Sequence, residues 1–291
     1  MNQLAASRRD FATLIVTCPD QPGLVSLITA LIARNKGNII SLDQYTTDPR
    51  GGDFFQRVVF HREGLSAALP EIEADLAATL GPHEIDYRLV EGSALKRMAV
   101  LASKSDHCLL DLLWRHQRGE LPVTIPLVIS NHSDLAEEVR RFGIPFFHVP
   151  SQGEDKSEAE ARILELLDGN VDFVVLARYM QILSESFIDE AEVPIINIHH
   201  SFLPAFIGAA PYRKAKERGV KLIGATAHYV TKDLDEGPII EQDVTRVNHT
   251  MTAADMQTRG ANVERAVLSR AVRLHAEDRV IRHGNQTIVF T

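Results

Sequence analysis

The chain is predicted to be an α/β protein in two parts: a small βαββαβ unit followed by a doubly wound, mostly parallel sheet. Three observations predict it. Residues 11–90 run strand, helix, strand, strand, helix, strand. From Lys96 onward, apolar strands alternate with amphipathic helices, the rhythm of a parallel sheet covered by helices. Between these rhythms Glu91-Gly92-Ser93 forms a short polar link, which places the two domains at 1–92 and 96–291.

In the first part, residues 11–17 (FATLIVT) are strand sequence, and Cys18-Pro19-Asp20-Gln21-Pro22-Gly23 breaks the strand with two prolines and a glycine. Leu24, Leu27, Ile28, Leu31 and Ile32 follow at helical spacing, with residues 35–37 as the stop. Residues 38–45 and 54–60, joined by Asp48-Pro49-Arg50-Gly51-Gly52, read as a hairpin. A helix over 66–80 is closed by Gly81-Pro82, and 84–90 is a last strand. That order is the ferredoxin-like split unit. Its edge strands invite pairing, so a homo-oligomer is expected.

In the second part, 97–103 (RMAVLAS) is a strand, 106–116 a helix, and 123–130 a strand ending in Asn131-His132-Ser133. A helix to Phe142 precedes a strand at 145–149; 156–167 is helical, and 171–176 (VDFVVL) is buried-strand sequence. The charge-rich run 154–165 is a solvated helix face. Residues 252–277 carry Met256, Val263, Val267, Leu268, Ala271 and Leu274 at helical spacing, a long helix that covers the sheet, and 279–290 reads as a closing hairpin.

Composition narrows the function. With 291 residues, 45% of them hydrophobic and 24% charged, the chain has the make-up of a globular protein whose core needs no staples. Its formal charge of -8 argues against nucleic acid as a partner, since affinity there comes mainly from neutralising phosphates. Cys18 and Cys108 are too few and too far apart for a disulfide framework and read as reduced thiols. The start, MNQLAASRRDF, lacks the long apolar core of a signal peptide, and no run approaches the roughly 20 apolar residues that span a bilayer. A cytoplasmic protein with no membrane partner is the expectation.

The segment 193–242 concentrates the chemistry. Its apolar run ends in Asn197-Ile198-His199, and strand alternation puts Asn197 and His199 on one face. Doubly wound sheets bind ligands beyond the carboxyl ends of their strands, and this pair sits at such an end. A second apolar segment, 222–230, empties into Asp233-Leu234-Asp235-Glu236-Gly237-Pro238, a turn able to return a carboxylate to the same place. An amide, an imidazole and a carboxylate are the parts of a metal-free acyl-transfer site. His228 alternates with Thr226 and Val230, so it either lines that site or is a core or supporting histidine. Taken singly, each residue has an ordinary reading: a packed strand-end histidine, or an aspartate in a Gly-Pro turn.

The combination is more specific. NIHHSFLPAFIGAAPY at 197–212, GATAHYV at 224–230 and LDEGPII at 234–240 resemble the formyltransferase-fold family, which uses 10-formyltetrahydrofolate, and LARYMQIL at 176–183 resembles its folate-pocket strand and loop. CPDQPGLVSLITALIARNKGNI at 18–39 resembles the small regulatory ACT module. With both, the chain is similar over residues 10–291 to the hydrolases of that family, the formyltetrahydrofolate deformylases.

The resemblance implies a catalytic trio of Asn197, His199 and Asp235, with the folate as substrate and no cofactor or metal. Asn197 would meet the formyl oxygen; His199 would share the oxyanion as imidazolium or relay the proton to N10; Asp235 would favour the charged imidazole and hold or deprotonate the water. Met180, Gln181, Ile182 and Leu183 fall where relatives hold the pterin, and Gly208 and Asp233 fall in loops near the folate and formyl group. An amino-acid effector at the ACT turn would involve Asp20, Gly23 and Asn38; the competing reading is that this module serves dimerisation alone. Two departures stand out. Ala210 replaces a residue that is often polar in relatives. Ala102-Ser103-Lys104-Ser105-Asp106-His107 stands where relatives that formylate glycinamide ribonucleotide have a glycine-rich phosphate loop, which disfavours a phosphorylated acceptor and favours water. The rival functions are a formyl transferase to a small amine, a catalytically silent amino-acid sensor, and a metal hydrolase built on His199, His228 and Asp235.

Overall fold

A computed structural model describes residues 8–83, 85–151, 156–205 and 211–291. The chain divides into two compact units. One takes in the residues up to Leu95 with Asp278–Ile281 and Ile288–Thr291; the other comprises Lys96–Glu277 and Arg282–Thr287.

The first unit contains β1 (Phe11–Pro19), α1 (Leu24–Arg34), β2 (Asn38–Thr46), β3 (Asp53–His61), α2 (Leu65–Leu80) and β4 (Asp86–Glu91). Its antiparallel sheet has the order β2-β3-β1-β4, with Asn38 opposite His61 at one end and Pro19 opposite Asp53 at the other. Leu24, Ile28, Leu31 and Ile32 of α1 and Leu65, Ala68, Ile72, Leu76 and Leu80 of α2 fall at helical spacing, so each helix turns one apolar stripe onto Leu14, Val16, Phe54, Val58 and Phe60. Burying each such Leu or Ile contributes roughly 1.5–3 kcal/mol. Gly23 enters α1 at φ +97°, a left-handed conformation that glycine adopts without steric cost. The edge strand β2 leaves Ile40, Leu42 and Tyr45 exposed.

The second unit opens with β5 (Lys96–Ala102), α3 (His107–Gln117), β6 (Val123–Thr124), β7 (Val128–Ser130), α4 (Ala136–Arg141), β8 (Phe146–His148), α5 (Ser157–Leu167) and β9 (Phe173–Ala177). It continues through α6 (Glu185–Glu190), β10 (Ile195–His199), α7 (Pro211–Arg218), β11 (Leu222–Tyr229), β12 (Ile239–Arg246) and α8 (Ala253–Ala276). The chain ends in the paired strands β13 (Val280–His283) and β14 (Gln286–Val289).

The main sheet has the order β12-β11-β10-β9-β5-β7-β8. From β10 to β8 the strands are parallel; β11 and β12 are added antiparallel. Starting at β5, the chain first builds outward through β7 and β8, then returns to the other flank through β9 and β10. The switch point therefore lies between β5 and β9, where such sheets open a crevice for ligands.

The single strand expected over 123–130 is two short ones, because Pro126 has no N–H for the ladder and breaks the run. The structure also adds β12, α6 and α7, which the apolar periodicity did not reveal. Thr252 and Asp255 cap α8 reciprocally. Among the described residues, no helix is long and apolar enough to cross a membrane.

Candidate active site

Alternation along β10 buries Ile196 and Ile198 on one side and turns Asn197 and His199 to the other. Register then sets their neighbours: Asn197 lies opposite His228, and His199 opposite Thr226. Asn197 Nδ2 is 3.2 Å from His228 Nε2. The His228 Nδ1–H donates to the Tyr229 carbonyl at 3.0 Å, which leaves Nε2 to face the Asn197 amide. His228 thereby fixes which end of that amide faces the site, and the second amide N–H stays free to donate.

The turn after β11 returns the carboxylate. Tyr229 N donates to Pro238 O, and the approach is so close that a Cβ on Gly237 would collide with the Tyr229 carbonyl. Asp235 sits at φ +59°, a setting non-glycine residues adopt only when surroundings impose it. Its Oδ2 is 3.2 Å from His199 Nδ1 and its Oδ1 3.7 Å from His228 Nε2. Burial alone would raise the Asp235 pKa, but the hydrogen bonds and charges of His199 and His228 hold it well below the usual carboxylate range. With Nδ1 engaged by Asp235, His199 keeps Nε2 buried and, among the described residues, unpartnered.

The loop leaving His199 is pinned from β11 and β12. Thr226 Oγ1 donates to Ser201 O and accepts from Leu203 N and Gln242 Nε2, and Gln242 also donates to Leu203 O. The His200 ring lies 5.3 Å from that of His199 and 6.1 Å from that of Tyr212. Burial, with the Arg178 charge second, pushes His200 down to about 4, so this ring is neutral near pH 7.

The other expected residues are spread around this centre and beyond it. Met180 and Ile182 stand out of the loop after β9, 57% and 62% exposed, with Gln181 half-buried between them; Leu183 turns into the core. Met180 N donates to Ser103 Oγ, which donates in turn to Asn131 Oδ1, tying this loop to those after β5 and β7. Asp233 is exposed, and its carbonyl accepts from Thr231 Oγ1 within the Asp235 turn. Gly208 and Ala210 lie outside the described residues.

In the first unit, Asp20 accepts from Thr46 Oγ1 close to Gly23, at the end of the sheet where Pro19 faces Asp53. Asn38 is at the opposite end, since antiparallel register places it against His61. At about 3.3 Å per residue the two ends are roughly 26 Å apart. One copy therefore does not bring these three residues together.

The periodicity did not reveal a buried ionic cluster behind the histidines. Glu264 of α8 accepts from Tyr212 Oη at 2.5 Å through Oε1, and its Oε2 is 2.7 Å from His107 Nε2 and 3.6 Å from Arg178 Nε. Burial would raise the Glu264 pKa; His107, Arg178 and Tyr212 outweigh it and hold the carboxyl at about 2. Cys108 adjoins the cluster, and burial followed by the Glu264 charge pushes its thiol up. His107, Cys108 and Glu264 have ligand atoms within 4.8 Å of one another. Both Glu264 oxygens are already taken up, Arg178 adds a positive charge alongside, and the thiol is held protonated, a donor set that suits an ion-pair network better than a cation. The signal for this cluster was a glutamate in the apolar stripe of a helix: Gly260, Glu264 and Leu268 recur every four residues among the buried positions.

The arrangement can donate a hydrogen bond to a developing oxyanion, accept and pass on a proton, and stabilise an imidazolium, which is the chemistry of acyl transfer. Comparison with known proteins points the same way. Residues 96–272 match the formyl transferase family, and residues 12–77 the ACT domain. A formyltetrahydrofolate deformylase of Mycobacterium bovis is 59% identical over 97% of this chain and 91% of its own length; that of Bacillus subtilis is 49% identical over 100% and 97%. The crystal structure of a formyltetrahydrofolate deformylase from Pseudomonas syringae superposes with a TM-score of 0.92 at 43% identity, covering 97% of this chain and 94% of that one. A glycinamide ribonucleotide transformylase from Symbiobacterium toebii matches only 68% of this chain, though 95% of its own, with a TM-score of 0.64 and 33% identity. With an ACT domain ahead of a formyl transferase domain, the chain belongs to the formyltetrahydrofolate deformylase family.

Proposed function

We propose that the chain hydrolyses 10-formyltetrahydrofolate to formate and tetrahydrofolate, using Asn197, His199 and Asp235 and no metal. The observation that carries this reading is the buried His199 Nε2, unpartnered among the described residues and set by the Nδ1 contact to Asp235 beside an amide that faces His228 Nε2. Water attacks the formyl carbon as Nε2 takes its proton. Asp235 stabilises the imidazolium, and the free N–H of Asn197 meets the oxyanion. Collapse breaks the C–N10 bond, and the imidazolium returns the proton to N10. The exposed apolar side chains of Met180 and Ile182 supply a face for the pterin, with Gln181, Leu183 and Asp233 shaping its surroundings.

The same reading assigns residues 1–92 to a regulatory and oligomerisation domain and 96–291 to catalysis, in a cytoplasmic protein. The exposed Ile40, Leu42 and Tyr45 on the edge strand β2 support assembly with a second copy. Asp20 and Gly23 can share an amino-acid effector with Asn38 when Asn38 comes from that copy.

Formate release from the formylated folate, followed with and without a chelator and with single amino acids, tests all of this. Retained turnover with the chelator and its loss in Asn197→Ala and His199→Ala support the site; near-normal turnover in either variant removes that residue from it. An effector site is refuted when no amino acid changes either rate or melting temperature.

A further inference from the structure

The crevice at the switch point between β5 and β9 is where this kind of sheet takes its ligands, and here residues following both of those strands are joined through Glu264. Arg178 leaves the end of β9, His107 starts α3 after β5, Tyr212 opens α7, and all three converge on Glu264, which is 2% exposed. Three features of the cluster act against stability. Arg178 sits at φ +61°, where an L side chain is strained. Among the described residues, its guanidinium Nε and Nη1 are buried without a hydrogen-bond partner. Gly260, a poor helix residue, lies directly under Tyr212, and a Cβ there would collide with the phenol. A well-packed apolar filling of the same volume is often the more stable solution to such a site. The cluster also reaches the reacting group, because Tyr212 stacks near His200 and His200 near His199.

We propose that Arg178, His107, Tyr212 and Glu264 are a filled acceptor pocket: specificity-determining residues that shut out amine nucleophiles and leave water as the only acceptor for the formyl group. This rests on the deformylase reaction proposed above. Water needs no space beyond the reacting face. An amine attacking the same carbon carries a substituent that must be housed beside the reacting face, where His200, Tyr212 and the Arg178–Glu264 pair already stand. Specificity of this type comes from an obstacle to the wrong partner.

Removing the obstacle should divert the reaction. In the diverted step the amine nitrogen bonds to the formyl carbon and loses a proton, the C–N10 bond breaks, and N10 gains a proton, giving a formamide and tetrahydrofolate. Arg178→Gly suits the test because glycine is at home at positive φ, and His107→Ala opens the same space from α3. Each full-length variant is incubated with 10-formyltetrahydrofolate and increasing glycinamide, and formate and N-formylglycinamide are both measured. The expected result is a formamide-to-formate ratio at least about tenfold above that of the parent enzyme. A purely structural cluster would move the melting temperature and leave this ratio alone. Folded variants that release formate but keep the parental ratio at saturating glycinamide overturn the proposal. Formate release by the parent reports separately on the deformylase reaction itself.

Discussion

Asp235→Asn isolates the charge of the proposed catalytic carboxylate from its shape. The replacement amide is isosteric and its oxygen can still accept from His199 Nδ1, now 3.2 Å from Asp235 Oδ2, so the neutral resting state is nearly preserved. What disappears is the attraction for the imidazolium that forms when Nε2 takes a proton from water. At an effective dielectric constant of about 20, a unit charge 3.2 Å away is worth about 5 kcal/mol. The amide dipole and solvent reaching the open side of the site return part of this, leaving about 3–4 kcal/mol, or two to three orders of magnitude in kcat. KM should change little, because the lost interaction belongs to the transition state. The assay is initial-rate formate release at saturating 10-formyltetrahydrofolate, with circular dichroism and melting temperature as controls for folding. A folded Asp235→Asn enzyme whose kcat stays within about threefold of the parent refutes the assignment, since a charge that close cannot be both mechanistically engaged and dispensable.

Other predictions follow from the surrounding contacts. His228→Ala frees the Asn197 amide to rotate and should lower kcat about tenfold to a hundredfold with KM nearly unchanged; a fall in substrate affinity alone would instead make His228 a binding residue. His200 is pushed down to about 4 from an ordinary 6.5, so between those values the unfolded chain binds a proton that the folded one does not. Stability should therefore drop as pH falls from about 7 to 4, by at most about 1.4 kcal/mol per unit, and His200→Asn should flatten that slope in urea midpoints measured against pH. Gly260→Ala forces a methyl into the Tyr212 phenol and should destabilise the protein by about 1–3 kcal/mol despite alanine's better helix propensity, whereas an unchanged or higher melting temperature would show that Tyr212 can move aside.

How far the molecule could be read from its sequence depends on the kind of signal each part leaves. The helices of the first unit were legible because Leu24, Ile28, Leu31 and Ile32 are spaced for one buried face. Asn197 and His199 were legible for a similar reason: strand alternation and a strand-end position fix their direction without any tertiary information. The return of Asp235 was only a suggestion until the close packing of Gly237 on Tyr229 turned the chain back. Pro126 lies inside the apolar run 123–130 and splits the predicted strand in two.

The acceptor-side cluster is a different case, because its members come from four elements that periodicity treats separately. His107 reads as the start of a helix, Arg178 as a loop residue, and Tyr212 as the end of a motif; only Glu264, a carboxylate within the apolar stripe of α8, breaks its local pattern. A buried charge of this kind must find partners, since leaving it unpaired is strongly destabilising. Glu264 in that stripe therefore implied a cation and a donor nearby before the fold supplied Arg178, His107 and Tyr212. The residues proposed to be catalytic declare themselves by what they resemble, whereas those proposed to choose the acceptor declare themselves by a local misfit that only the tertiary structure resolves.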